Sequence, residues 1–267
     1  MLRNFGIVSG CIPPKHCLSQ YVFGRARLEV IELTMNRFVN SIIKSILPSK
    51  FLDTLRLGVK TQSAIEENDR LSRMQFDLSP AHLVNTKLYA GRGELLKSLP
   101  KGGVFVEVGV AQGEFSSAIW EILQPHRFHL IDIWQSSNPM YGQMAYEAVL
   151  AKFAPQIQSG SVVVHRKRSV DALHELPDNS LDGIYIDADH SYASVRADLQ
   201  AALPKLRTGA VITGHDYIRW SGASSRFGVI EAVNEFCLLN NYELIGLTLQ
   251  RHMHLSYAIR EMQGKPA

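Results

Sequence analysis

Two short runs concentrate side chains that could do chemistry. One is Asp187-Ala-Asp189-His190-Ser-Tyr192, and the other is Gly214-His215-Asp216-Tyr217. Each follows an apolar stretch of strand length, Leu181-Asp-Gly-Ile-Tyr-Ile186 and Ala210-Val-Ile-Thr213. Two acidic strand ends directed into one cleft repel unless a cation or a proton lies between them. Oxygen ligands suit Mg²⁺ or another hard divalent ion. The two runs thus bring Asp187, Asp189, His190, His215 and Asp216 near one another. An imidazole is a common general base, so His190 can take a proton from a substrate hydroxyl, with Asp187 beside it in the catalytic group. It could instead only orient the helix that follows.

A third run, Val104-Phe-Val-Glu-Val-Gly-Val-Ala-Gln-Gly113, supplies a place for a cofactor. It begins as a Val-rich strand, breaks at Gly109 and Gly113, and enters the helical spacing of Glu114–Leu123. Glycine lets the backbone approach a ligand, and a helix N-terminus offers free N–H groups. The spacing is not that of a dinucleotide loop. Counted from Gly109, that fingerprint needs glycine where Ala111 and Glu114 stand, and no Gly-Lys-Ser/Thr follows for a P-loop. A tight turn in another α/β domain would look similar. Asp132 ends the next strand, nineteen residues after Gly113. A carboxylate there can accept hydrogen bonds from both hydroxyls of a ribose. Ile133 and Trp134 could flank a base, although Trp134 could equally be core.

The elements that position these groups alternate. Strands are predicted at 104–108, 127–132, 161–165, 181–187 and 210–213, with helices at 143–153, 191–206 and 229–239. Tyr242–Leu247 and His254–Ile259 read as a terminal antiparallel pair. Leu83–Leu99 reads as a helix ahead of the Pro100-Lys-Gly-Gly103 turn. This alternation predicts an α/β fold, a Rossmann-like, seven-stranded, mostly parallel sheet ending in an antiparallel hairpin. An N-terminal helical segment precedes it. Leu28, Ile31, Met35, Phe38, Ile42 and Ile46 step by three or four, and Pro48 ends the run. The predicted division is an arm and helical lid or dimer segment over 1–80 and a catalytic domain over 81–267.

Composition bounds the partners. Of 267 residues, 46% are hydrophobic and 20% charged, ordinary values for a globular chain. A net charge of +3 is too small to argue for nucleic acid. Three cysteines, Cys11, Cys17 and Cys237, make no disulfide framework and point to a reducing cytoplasm. No run is long and apolar enough to span a membrane, and Pro13, Pro14, Lys15 and His16 interrupt any signal-like core. Arg27, Arg37 and Lys44 share the polar face of the N-terminal segment with Glu29 and Glu32, which argues against a lipid-binding face.

Phe105-Val-Glu-Val-Gly109, Tyr185-Ile-Asp-Ala-Asp-His-Ser-Tyr192, the helix with Asp198, and Leu206-x-x-Gly-Ala-Val-Ile-x-Gly-His-Asp-Tyr217 together resemble class I S-adenosylmethionine-dependent methyltransferases. Within that class they are similar to the macrocin-type and catechol-type O-methyltransferases. The resemblance covers residues 90–260, roughly two-thirds of the chain, and nothing before residue 80. It implies that the loop of Gly109 and Gly113 passes under the methionine part of S-adenosylmethionine, with Glu107 helping to position it. It implies Asp132 at the ribose, Ser169 and Asp171 at the adenine edge, and Asp187 beside the methyl group. Ser169 could instead cap its helix. In the metal-dependent members an Asp after strand four and an acidic pair after strand five hold the ion. The resemblance implies Asp187 and Asp216 as ligands of Mg²⁺ or another divalent ion; the second position reads His215-Asp216 here, which departs from that pattern and leaves His215 a metal ligand or merely a neighbour. Catechol-type enzymes carry a lysine base three residues after the first metal Asp, where this chain has His190. The acceptor implied is a hydroxyl on a sugar or other small molecule. The rivals are an N-methyltransferase, a hydroxylase relative of the same fold, and a non-catalytic cofactor-binding protein.

Overall fold

A computed structural model describes residues 49–222, 225–251 and 253–262. The helix expected over 26–47 and the arm over 1–24 lie outside the described residues. The chain divides into two compact units, 1–59 and 60–267. The first helix, α1 (Ser49–Ser72), runs across that division, so the boundary expected at residue 80 falls inside the second unit. Within the second unit, Leu71 at the end of α1 is buried.

The sheet has eight strands: β1 (Lys87–Tyr89), β2 (Val104–Val108), β3 (Arg127–Asp132), β4 (Val162–Arg166), β5 (Leu181–Ile186), β6 (Leu206–Gly214), β9 (Tyr242–Thr248) and β10 (Tyr257–Glu261). Their order is β1-β9-β10-β6-β5-β2-β3-β4. A separate two-stranded hairpin joins β7 (Trp220–Ser221) to β8 (Ser225–Arg226). Strands β2 to β6 pair in parallel, and β10 runs antiparallel to both β6 and β9. This is the expected Rossmann-like sheet with its terminal antiparallel pair, extended by one edge strand.

The alternation of strand residues sorts them into two cores, one on each face. Val106, Ile184 and Ile212 pack with α6 (Ser169–Glu175), α7 (Tyr192–Ala202) and α8 (Val229–Asn240). Phe105, Phe128 and Leu130 pack with α2 (Arg92–Lys97), α3 (Glu114–Leu123) and α4 (Gln143–Lys152). A short helix, α5 (Ala154–Gln158), leads into β4. Cover on both faces is why the central strands read as unbroken apolar runs.

Two expectations need correction. Leu83–Leu99 is not one helix but an edge strand, β1, and the short helix α2. Asn85 Nδ2 donates to Glu243 Oε2 (2.6 Å) and Thr86 Oγ1 to the Leu244 carbonyl (2.6 Å), which ties this segment to β9. Gly91 then separates strand from helix, a break that apolar spacing alone does not register. The helix expected to reach Leu206 ends at Ala202, and a 3-10 turn at Leu203–Lys205 passes into β6. Strand β6 therefore begins four residues earlier than expected and contains Gly209.

From β2 the chain winds outward through β3 and β4, then returns to β5 on the other side of β2. The direction of winding reverses between β2 and β5. In open parallel sheets a ligand crevice forms beyond the carboxyl ends of the strands at this point.

Candidate active site

A cleft of about 1150 Å³ opens at that reversal. Its floor is the loop after β2. Gly109 has φ +88°, and a Cβ there would stand 2.1 Å from the Asp187 carbonyl oxygen. Only glycine lets the β2 loop lie this close to the end of β5. Gly113, at φ +75°, is the N-cap of α3. Gly109 N donates to Ile131 O (2.9 Å), and Asp187 N donates to Val108 O (2.7 Å), so neighbouring strand ends hold the loop from both sides.

Asp132 organises this loop. Its Oδ2 accepts from the backbone N–H of Val110 (2.9 Å) and Ala111 (3.0 Å), and its Oδ1 from that of Trp134 (2.9 Å). Trp134 is fully buried and donates its indole N–H to the Ala111 carbonyl (2.9 Å). It is therefore a core residue that ties the two loops together, while Ile133 lies on the cleft wall. Ala111, Trp134 and Asp216 all have positive φ, at +48°, +44° and +56°. Non-glycine residues in this region are uncommon and mark sites where surrounding bonds impose the backbone. Ala111 and Trp134 stand in loops after strands that border the cleft, and Asp216 in the loop after β6.

Glu107 lies under the loop, fully buried, and accepts a hydrogen bond from Ser116 Oγ at the first turn of α3. Burial pushes its carboxyl up to about 8; the Ser116 bond works against that, and nearby Asp187 adds to it. Across the cleft, Ser169 is the first residue of α6, and its hydroxyl donates to Asp198 Oδ1 on α7 (2.5 Å) rather than capping its own helix. Burial raises Asp198 to about 6, partly opposed by that bond. Asp171 is exposed in the first turn of α6 and does not line the cleft. Two residues on from Ser169, it stands about 200° around the helix.

The far wall is the second cluster. Asp187 and His190 line the cleft, with His215 and Asp216 outside its lining set. His190 Nδ1 stands 3.2 Å from Asp216 Oδ2, and its ring packs on Phe227 with centroids 4.6 Å apart. His215 Nδ1 is 3.4 Å from Asp216 Oδ1 and 3.7 Å from Asp187 Oδ1. His254, from the loop before β10, places its Nδ1 against Asp216 Oδ1. Three imidazoles thus surround one carboxylate. Burial works to raise Asp216, but His215, His254 and His190 outweigh it and hold the carboxyl at about 2. Asp187 goes the other way: burial raises it to about 7, with His215 opposing and Asp216 adding to the rise.

The structure therefore brings Glu107, Gly109, Asp132, Ser169, Asp187 and His190 to one cleft, with His215 and Asp216 adjoining it. Sequence reasoning missed Arg92 and His254. Arg92 lines the cleft with its guanidinium 4.3 Å over the Phe115 ring. Neither residue carries a local motif, since one precedes the first motif and the other follows the last.

Residues 106–217 match the family model described as a methyltransferase domain. The matched segment runs from β2 to the Asp216 loop and holds the lining of the cleft except Arg92. This segment is similar to a methyltransferase domain. Outside it lie the N-terminal unit, β1, α2 and the terminal strand pair. A stretch of 88 residues is 31% identical to y4gI, an uncharacterized protein of Sinorhizobium fredii; it makes up 32% of this chain and 10% of that one. Among solved structures, the pyocyanin biosynthetic protein PhzM is similar at 13% identity, over 64% of this chain and 54% of PhzM, with a TM-score of 0.48. The M1A22 tRNA methyltransferase TrmK of B. subtilis is similar at 13% identity, over 66% of this chain and 67% of TrmK, with a TM-score of 0.47. The assignment of the fold rests on strand order, not on these distant likenesses. Among the described residues no helix is long and apolar enough to cross a membrane.

Proposed function

We propose that this protein transfers the methyl group of S-adenosylmethionine to a hydroxyl on a small molecule or sugar. The observation that carries the reading is the charge of the cleft beneath the glycine loop. Glu107, Glu114, Asp132, Asp187, Asp189 and Asp198 line it, against Arg92, Lys167 and Arg168. Even with Glu107 protonated and Asp187 partly so at neutral pH, carboxylates outnumber cations. That balance suits a cofactor carrying a sulfonium and an ammonium group. Asp132 holds the loop backbone and lines the cleft, and a carboxylate there retains lone pairs able to accept from ribose hydroxyls.

The His190 and Asp216 pair supplies the base. Asp216 faces Nδ1 of His190, which leaves Nε2 for the cleft that His190 lines. Held ionised by its three imidazoles, Asp216 favours the tautomer with the proton on Nδ1 and stabilises the imidazolium once it forms. In the reaction the acceptor oxygen attacks the methyl carbon in line with the sulfur. The C–S bond breaks, its electron pair stays on sulfur, and the hydroxyl proton passes to His190 Nε2. The cleft's main task is to hold the two reactants in that line.

Mg²⁺ fits this donor set poorly. It asks for near-octahedral oxygen ligands and keeps its water. Here His190 contributes nitrogen, and His215 and His254 already engage Asp216. The proton transfer above needs no such ion. The N-terminal segment as a lid or dimer contact, and a cytoplasmic setting without nucleic-acid or membrane partners, belong to the same proposal.

The test is a screen of hydroxylated small molecules with methyl-labelled S-adenosylmethionine, read by mass spectrometry. Label on an acceptor oxygen, lost in His190→Ala, supports the reading. Label on nitrogen only, or cofactor binding with no transfer to any acceptor, favours the rivals named above.

A further inference from the structure

Among the described residues, Arg92, Lys167 and Arg168 are the cations that line the cleft, and they are employed differently. Lys167 Nζ is held by both carboxylate oxygens of Glu175 (2.9 and 2.7 Å), and Arg168 is the N-cap residue of α6 on the same side. Arg92 enters from the other face of the sheet, as the first residue of α2. Its backbone N–H donates to Gln250 Oε1 (3.3 Å), and Leu95 and Leu96 anchor the helix in the core. Its guanidinium lies on the face of Phe115, whose ring packs on Tyr185 with centroids 4.4 Å apart. Among the described residues no carboxylate forms an ion pair with it: Glu107 turns to Ser116, and Asp187 to His215. The wall behind it is also unspent. The Tyr185 hydroxyl and Ser256 Oγ are buried without a hydrogen-bond partner. Burial raises the Tyr185 hydroxyl; Asp187 adds to the rise, and the nearby Ser256 and Arg92 oppose it. A planar guanidinium stacked on an aromatic face, with no carboxylate of its own, is suited to receive one in two parallel hydrogen bonds.

The cleft has room for an acceptor beside the cofactor. Its volume of about 1150 Å³ exceeds the roughly 300–1000 Å³ of a site for one small molecule. The cofactor's cationic groups suit the acidic lining. Its carboxylate can be met by backbone N–H groups at the N-terminus of α3, where Gly113 offers no side chain. Arg92 stands near enough to Asp187, at the methyl end of the proposed arrangement, to oppose the rise that burial causes there. We propose that Arg92, stacked on Phe115 and backed by Tyr185 and Ser256, binds a carboxylate of the methyl acceptor. The acceptor is then a hydroxy acid, a phenolic acid or a sugar acid, and not a neutral phenol or sugar. This rests on the methyl-transfer reading and narrows its substrate class. A carboxylate docked at Arg92 fixes one end of the acceptor and limits how its hydroxyl can approach the methyl carbon. A neutral analogue leaves the guanidinium unpaired in the closed cleft, and that is the source of discrimination.

The experiment uses the full-length protein saturated with S-adenosylhomocysteine and reads ligand binding by saturation-transfer NMR. The probes are 4-hydroxybenzoate beside 4-hydroxybenzyl alcohol, and glucuronate beside glucose. At least one acid should give a signal that its neutral counterpart lacks, a comparison that needs no variant. In Arg92→Gln the affinity for that acid should fall by about tenfold, the loss expected for one charge-assisted pair, and Arg92→Lys should restore part of it. Lys97→Gln, at an exposed lysine on the same helix, leaves it unchanged. Thermal melts show which variants are folded. No signal from either acid, equal signals from acid and neutral probes, or undiminished acid binding in folded Arg92→Gln overturns the proposal. So does a loss of S-adenosylhomocysteine affinity in Arg92→Gln that is not shared by 5′-methylthioadenosine, which lacks the carboxylate; the cofactor would then be the occupant of Arg92. Failure of the wild-type protein to bind S-adenosylhomocysteine removes the methyl-transfer reading and this one with it, whereas normal cofactor binding without a preference for acids overturns this inference alone.

Discussion

The two acidic centres of the cleft are built in opposite ways. Asp132 spends its carboxylate on three backbone N–H groups of the loops beside it, so its partners are fixed by local chain geometry. Asp216 is met by side chains, three imidazoles drawn from the loops after β5, β6 and β9. The first centre shapes a surface, and the second arranges groups that can exchange protons or hold an ion. In the proposed function the glycine-loop side is the binding wall and the histidine side the reactive one. Damage to the first should cost affinity and stability, and damage to the second should cost turnover with affinity kept.

The largest effect should come at Gly109. An added Cβ would sit 2.1 Å from the Asp187 carbonyl at φ +88°, so backbone must move. Gly109→Ala should lose at least about 3 kcal/mol of stability in chemical denaturation and all measurable cofactor binding. Near-normal stability would mean that the two walls are not locked together at this point. Next, His190→Ala should lower kcat by roughly 10²–10⁴-fold with cofactor affinity within about twofold of wild type. A matching loss of affinity would erase the distinction between the walls.

The pH dependence of folding tests the buried floor. Glu107 has an ordinary value of 4.5 and a folded value of about 8. Between these values the folded protein keeps a proton that the unfolded chain has released. Its contribution is full below pH 4.5 and is lost as pH rises to about 8. Glu107→Gln, which stays neutral, should remove a few kcal/mol of that fall across the window. An unchanged slope in urea melts from pH 5 to pH 8 would contradict a neutral, buried Glu107. The smallest contrast is on α6. Ser169→Ala should weaken cofactor binding by several-fold, through the lost bond to Asp198, about 1 kcal/mol. Asp171→Ala, exposed and off the cleft, should change it by less than about twofold.

The same division explains what could be read from sequence. The binding wall is contiguous: strand, Gly109, Gly113 and helix occupy one run, and Asp132 ends the next strand, so period and glycine spacing locate them. Asp187, His190 and Asp216 were legible because each follows a strong apolar strand. His254 was not, because it sits in a loop with no periodic signal, 38 residues from the carboxylate it contacts. Strand β1 was missed because three residues with leucine and tyrosine fit a helical stripe as well as an edge strand. What identifies β1 is its pairing with β9, a contact between segments 158 residues apart. Trp134 was ambiguous for a related reason: whether it flanks a ligand or fills the core depends on the Ala111 carbonyl, which only the folded loop brings to it.

The central claim is that the wall built around Asp132 binds S-adenosylmethionine. Calorimetric titration with S-adenosylmethionine and S-adenosylhomocysteine, with and without EDTA and beside Asp132→Ala, tests it most directly. The account predicts micromolar binding of both ligands, unaffected by EDTA and lost in Asp132→Ala. Absence of binding to the wild-type protein under every condition, or full binding in Asp132→Ala, would contradict it.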